Sequence, residues 1–231
     1  MLSRNYQKAL LGGRGLNRSG NARAGKQNGR LSLMSGPKHY FAMHSKILEA
    51  LPYVQIEEMT VRLLQAYDEG RTVFLFGNGG SAALASHFAC DLGKGTLAAT
   101  NGSKRFRALA LTDNLPLITA WANDRSYDDI FAEQLRNLAA PGDIAFAISG
   151  SGNSVNVLRA LEVARSSACS TMGITGYSGG KMKSLCDWCV IVPSNNMQVI
   201  EDFHLSVCHA LFTSLCSQIH QFPQLAVAAG R

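Results

Sequence analysis

Short apolar runs alternate with stretches of helical period along most of this chain. From Lys38 to Glu69 the apolar positions recur at the spacing of an amphipathic helix, and Pro52 interrupts them, which predicts two helices or one kinked helix. Ile56, Met59, Leu63 and Leu64 form the stripe of the second, and Gly70 closes it. Strands are then predicted at Thr72–Phe76, Phe106–Leu111, Asp143–Ile148, Ser170–Thr175 and Trp188–Val192. Helices are predicted between them: Ser81–Leu92, segments around Leu115–Trp121 and Asp128–Leu138, Ser154–Arg165 and a short turn near Gly180–Leu185. A long final helix runs from about Gln198 to His220.

Five apolar strands separated by helices imply a parallel sheet covered on both faces. Right-handed crossovers make this an α/β fold, a doubly wound, five-stranded, three-layer sandwich with extra N-terminal helices. Those helices have apolar faces and no sheet partner, which suits packing against another subunit. Ligands of such folds sit beyond the carboxyl ends of the strands, near the switch in strand order.

Two glycine-serine loops fall at those ends. TVFLFGNGGSA turns at Gly77–Ser81, and DIAFAISGSGNS turns at Ser149–Ser154. Each leads from a strand into a helix, so backbone N–H groups and serine hydroxyls are aimed where an anion can bind. One such loop is explained by a tight turn; two at equivalent positions point to a phosphate. Gly77–Ala82 also satisfies a loose GxGxxA dinucleotide fingerprint, but its acidic partner, Asp113, comes too late. There is no Walker A lysine. The second loop is serine-rich, which suits a terminal monophosphate, so a phosphate monoester is expected and no nucleotide cofactor.

The 231 residues are enough for one domain with a full core. The net charge of +6 is misleading: of 22 Lys and Arg, seven lie in residues 1–36, leaving 15 against 16 acidic residues. The body thus lacks the charge signature of a nucleic-acid binder. The basic segment 1–36 reads as a disordered tail, as a sequence upstream of a start at Met34, or as a transit peptide or RNA-binding arm. The domain is expected over 37–222, with a frayed end at 223–231. No apolar stretch approaches the ~18 residues of a membrane span, and a soluble, cytoplasmic protein is expected. The six cysteines lie mostly inside apolar patterns and suit reduced thiols; Cys186-Asp-Trp-Cys189 is formally a CxxC but has no second pair to complete a zinc site, and reads as structural.

GNGGSAALASHF, LTDNLPLITAWANDRSYDDIF, ISGSGNSVNVLRALE, GITGYSGGKM and IEDFHLSVCH, in that order, resemble the sugar isomerase (SIS) domain family, and most closely its phosphoheptose isomerases. The likeness covers about Lys38 to His220. It implies a flavodoxin-like sandwich, a homotetramer, and an enzyme that isomerises sedoheptulose 7-phosphate to the aldose heptose 7-phosphate, for heptose or lipopolysaccharide precursors, with zinc in many members. Asn78, Gly79, Gly80 and Ser81 match the first substrate loop, and Asn123 and Asp124 the Asn-Asp pair that touches the sugar. Ser149, Gly150, Ser151 and Ser154 match the phosphate loop, with Gly150 where the family has a threonine. His87 and Asp91 match the metal pair of the first helix, Asp replacing Glu; Glu201 stands where the family has a Gln that meets substrate and metal; His209 matches the final histidine. The resemblance thus makes Asp91 and His209 catalytic, and His87, Asp91, Glu201 and His209 metal ligands.

The residue types suit the reaction. Aldose–ketose isomerisation needs a base and an acid to move protons between adjacent carbons and oxygens, which a carboxylate and a histidine supply near neutral pH. His87 and Asp91, four apart, share a helix face. Asp91 is one methylene short of Glu, a deficit of ~1 Å that the fold has to make up. Glu201 and His209 are eight residues apart, about 12 Å along a straight helix, which strains a four-ligand site. His204 has no assigned role; Trp121 and Tyr177 fit either the sugar pocket or the core, and Lys181 and Lys183 a solvated face. Two other readings come from the same resemblance: a non-catalytic tetramer that docks the replication initiator, and a phosphosugar-sensing regulator. His209 favours the enzyme; the changes at Asp91 and Glu201 favour altered activity.

Overall fold

Five strands pair in the order β2–β1–β3–β4–β5, every pair parallel. They are β1 (Thr72–Gly77), β2 (Arg107–Ala110), β3 (Ile144–Ser149), β4 (Ser170–Thr175) and β5 (Trp188–Ile191). The structure, a computed structural model, describes residues 36–99 and 104–229. The basic tail lies outside the described residues apart from Gly36.

Seven α-helices accompany the described sheet: α1 (Pro37–Ala50), α2 (Tyr53–Glu69), α3 (Gly80–Cys90), α4 (Leu115–Asp124), α5 (Ala132–Leu138), α6 (Val155–Ser166) and α7 (Met197–Ala229). Pro52 separates α1 from α2, as its missing N–H and fixed φ require. The last helix continues to Ala229, past the expected end at His220 and through the segment from 223 expected to be frayed; its Leu225, Ala226, Ala228 and Ala229 are good helix formers. The expected helix over Asp128–Leu138 is split into a 3-10 turn at Tyr127–Asp129 and α5.

Strand alternation builds two cores. Val73, Leu75, Ile144, Phe146 and Ile148 face one layer, with Leu63, Phe88 and Leu211 from α2, α3 and α7. Phe74, Phe76, Ala145 and Ala147 face the other, with Leu135 and Leu161 from α5 and α6. Central strands β1 and β3 are buried almost end to end, so the sequence shows them as unbroken apolar runs. Edge strand β2 pairs only with β1 and is shorter than expected, ending at Ala110. Because β1 and β3 are neighbours while their crossovers diverge, the two glycine-serine loops emerge side by side at the switch in strand order.

Candidate active site

The first loop is shaped by Gly79, whose φ of 56° and ψ of −121° suit only a residue without a side chain. Ser81 and Ala82 donate their N–H groups back to Asn78 and Gly79, starting α3. Asn78 turns its side chain toward Asn156 of α6. The two amides exchange hydrogen bonds of 2.9 Å in both directions, and the Tyr127 hydroxyl donates to Asn78 Oδ1 at 3.0 Å. Asn156 is buried, so this amide pair clamps the first loop to the helix that follows the second.

The second loop, Ser149–Ser154, is braced from β4. Gly176 N–H and Thr175 Oγ1 both donate to Gly150 O, and Met182 N–H donates to Gly152 O. A Cβ on Gly180 would stand 2.5 Å from Ser151 O, so only glycine lets the two backbones approach this closely. Ser149 Oγ accepts from Gly152 N–H at 3.2 Å and lies 3.5 Å from Ser154 Oγ. Ser154 caps α6 without spending its hydroxyl on the helix. That leaves a hydroxyl pair at the positive end of a twelve-residue helix, a fitting seat for a phosphate.

Beside these loops, α3 and α7 enclose a cavity of about 430 Å³ whose walls include Gly80, Ser81, His87, Glu201, His204 and His209. His87 Nε2 lies 3.0 Å from His209 Nε2 and 3.4 Å from Asp91 Oδ2, and His209 Nε2 lies 3.9 Å from the same oxygen. A nitrogen pair at that distance cannot carry two protons, so at least one imidazole presents a lone pair. The α-helix ends at Cys90 and a π turn, Asp91–Gly95, begins at the acid itself. Such insertions gather at functional sites, and nothing in the residue pattern announces this one.

Glu201 belongs to the cavity but not to this triad. Its Oε1 lies 3.4 Å from where a Cβ on Gly80 would stand, at the N-terminus of α3, where the helix dipole favours a carboxylate. Glu201, expected as a fourth metal ligand, is not part of the His87, Asp91 and His209 group among the described residues. Asn123 and Asp124 lie at the exposed C-terminal end of α4, bonded to each other at 2.9 Å, and are not among the residues lining the cavity. Trp121 lines a different groove, of about 980 Å³, beside β2; that groove is larger, but among the described residues it gathers no cluster of metal-ligating side chains.

Asn156, Tyr127 and Asp202 carry no signal in the sequence, and His204 none that assigns it a role. Asn156 and Tyr127 hold Asn78 across long sequence separations, and no local pattern signals such a partnership. His204 is only 1% exposed, and neither of its ring nitrogens has a hydrogen-bonding partner of sound geometry. Burial pushes it down to about 4, the Thr175 backbone offsetting this in part. At the cavity rim, Asp202 accepts from the Tyr40 hydroxyl and contacts His44 Nε2 at 3.0 Å, fastening α1 to α7. The hydrogen bond to Asp202 and burial hold the Tyr40 hydroxyl up at about 12.

The ligand atoms of His87, Asp91 and His209 all lie within 4.8 Å of one another. Ligands about 2.0–2.2 Å from a tetrahedral zinc stand roughly 3.3 Å apart, so the observed spacings fit one ion. Asp91 Oδ2 is moreover buried without a hydrogen-bond partner, as an oxygen reserved for a cation would be.

A doubly wound sheet with a serine-rich anion loop and a histidine-carboxylate pocket at its switch point defines a phosphosugar-handling α/β domain. The SIS domain family model matches residues 39–176, and the chain belongs to that family. It is 39% identical over 181 residues to the phosphoheptose isomerase of Trichlorobacter lovleyi, covering 75% of this chain and 85% of that one. To the phosphoheptose isomerase of Paramagnetospirillum magneticum it is 41% identical over 182 residues, covering 77% and 91%. The solved phosphoheptose isomerase of Neisseria gonorrhoeae superposes with a TM-score of 0.72 at 29% identity, covering 78% of this chain and 96% of its own.

Proposed function

We propose that this chain is a cytoplasmic ketose–aldose isomerase that converts sedoheptulose 7-phosphate to D-glycero-D-manno-heptose 7-phosphate for heptose-containing surface glycans. The observation that carries it is the clustering of His87, Asp91 and His209, the two histidines lining one cavity, beside a serine-rich helix N-terminus. Ser149 and Ser154 hydroxyls and the first amides of α6 bind the phosphate and fix the sugar's register. His209 and Asp91 move the proton between the first two carbons, general acid–base work that is worth about 10²–10⁴ in rate. His87 orients His209 through their ring contact. Glu201, held at the head of α3, accepts a sugar hydroxyl. His87, Asp91 and His209 would hold a zinc ion, which when bound polarises the sugar carbonyl.

The clustered acid and histidines favour this reading over a docking platform for the replication initiator or a phosphosugar-sensing regulator, neither of which needs them. A homotetramer accompanies it: α1 and α2 leave Phe41, Leu48, Val54 and Val61 exposed, Phe41 at 67%.

The test is turnover of sedoheptulose 7-phosphate by the purified chain, with and without added zinc. Wild type is expected to form the aldose, and His209→Gln to lose at least about a hundredfold in kcat while still melting cooperatively. A well-folded wild type that is inert in both conditions, or an unimpaired variant, overturns the assignment.

A further inference from the structure

At the far end of the sheet, where β4 and β5 begin, two thiols meet over a glycine. Cys186 follows the 3-10 turn Lys181–Ser184, and its N–H donates to Met182 O at 3.2 Å. Cys189 is the second residue of β5 and the register partner of Gly173 on β4. Trp188 and Val190 face the layer of α2 and α7, so alternation turns Cys189 to the opposite layer, where Cys186 and Met182 also pack. The Cys186 sulfur occupies the room that Gly173 leaves: a Cβ there would be 2.8 Å from it. Gly173 and Cys189 are neighbours across one strand spacing of about 4.8 Å, so both side chains converge on one point. The loop between them is pinned, since Asp187 exchanges backbone and side-chain hydrogen bonds with Thr171.

The two sulfurs are also chemically unequal. A hydrogen bond from Cys186 and the nearby Lys183 draw the Cys189 thiol below its ordinary range, against burial. The same bond and burial drive Cys186 well up. Both remain partly accessible, whereas Cys169 and Cys208 are buried, burial pushing Cys169 up to about 11 and Cys208 higher still.

We propose that Cys186 and Cys189 form a reversible redox modification site, in which Cys189 reacts first, attacking a low-molecular-weight disulfide of the glutathione type, and Cys186 resolves the adduct. The Cys189 thiolate attacks one sulfur of the small disulfide; a mixed disulfide forms and one small thiolate leaves. That thiolate takes the proton of Cys186, whose sulfur then attacks Cys189 and expels the second small thiolate. Two electrons pass from the protein dithiol to the small disulfide, which is reduced to two thiols. A dithiol of this kind suits a reducing compartment, where protein disulfides are transient.

The test uses the full chain incubated with oxidised glutathione, quenched with an alkylating agent and mapped by peptide mass. Wild type is expected to yield a Cys186–Cys189 cross-link, two hydrogens lighter than the dithiol and reversed by dithiothreitol. Cys186→Ser should stop at a glutathione adduct on Cys189, and Cys189→Ser should carry no adduct on Cys186. In untreated wild type, Cys189 should alkylate at least about tenfold faster than Cys186, a comparison that needs no variant to fold. Both cysteines alkylating at equal rates, no cross-link after oxidation, or an adduct on Cys186 in Cys189→Ser each overturns the proposal. None of these readouts depends on the isomerase assignment.

Discussion

Replacing His204 with leucine should make the protein more stable and its stability less sensitive to acid. His204 is buried in the wall of the cavity between α3 and α7, and burial lowers its proton affinity from 6.5 to about 4. At 1.36 kcal/mol for each factor of ten, that drop corresponds to about 3 kcal/mol. Above the unfolded value the ring is neutral in both states and contributes nothing to pH dependence. As pH falls from 6.5 toward 4, only the unfolded chain takes the proton, so folding loses stability across that window and no further below it. At about pH 5 the loss from this residue is about 2 kcal/mol. Leucine cannot titrate, and it removes two unpartnered nitrogens whose burial costs roughly 1–3 kcal/mol. Urea unfolding of wild type and His204→Leu, with chelator and at one protein concentration, measures this near pH 7.5 and near pH 5. The variant's advantage should grow by about 2 kcal/mol on acidification. An advantage that is constant with pH, or a variant less stable at both, would show that the ring is solvated or well paired.

Two further outcomes follow from the same geometry. Zinc at about 100 times its Kd should add about 2.7 kcal/mol and raise Tm by about 5–10 °C for a chain of this size; Asp91→Ala should abolish the shift in a thermal melt, and an undiminished shift would place the metal elsewhere. Asn156→Ala should cost about 1–3 kcal/mol in urea unfolding, because it strands the Asn78 amide, and should raise KM more than it lowers kcat; unchanged stability would refute the clamp.

The sheet was legible because burial on both faces leaves strands such as Phe74–Phe76 and Ala145–Ile148 with no polar interruption. The loops were legible because glycine and serine have few other reasons to recur at strand ends. What the residues did not show were events that depend on partners far away in sequence. Asn156 reads as an ordinary first-turn residue of α6 until Asn78, 78 positions earlier, meets it. The shortening of β2 reflects its having one neighbour, not its composition. The π turn at Asp91 arises within a sequence, CDLGKG, that continues a helical pattern, so the expected helix ran on to Leu92.

The shorter acid at Asp91 still reaches the histidines. A side chain one methylene shorter should leave its carboxylate about 1 Å short of two helix-borne histidines. In the fold, Oδ2 nevertheless lies within 3.4 Å of His87 and 3.9 Å of His209. Asp91 Oδ2 is also buried without a hydrogen-bonding partner. Among the described residues, the buried side-chain polar atoms without a partner are Asp91 Oδ2 and the two nitrogens of His204. All three belong to residues gathered around the region between α3 and α7, and a fold with many alternatives leaves such atoms unpaired chiefly where something else will pair them. The larger groove beside β2 has no such debt in its lining. Polar dissatisfaction, more than cavity size, therefore supports the proposed site between α3 and α7 over the groove beside β2.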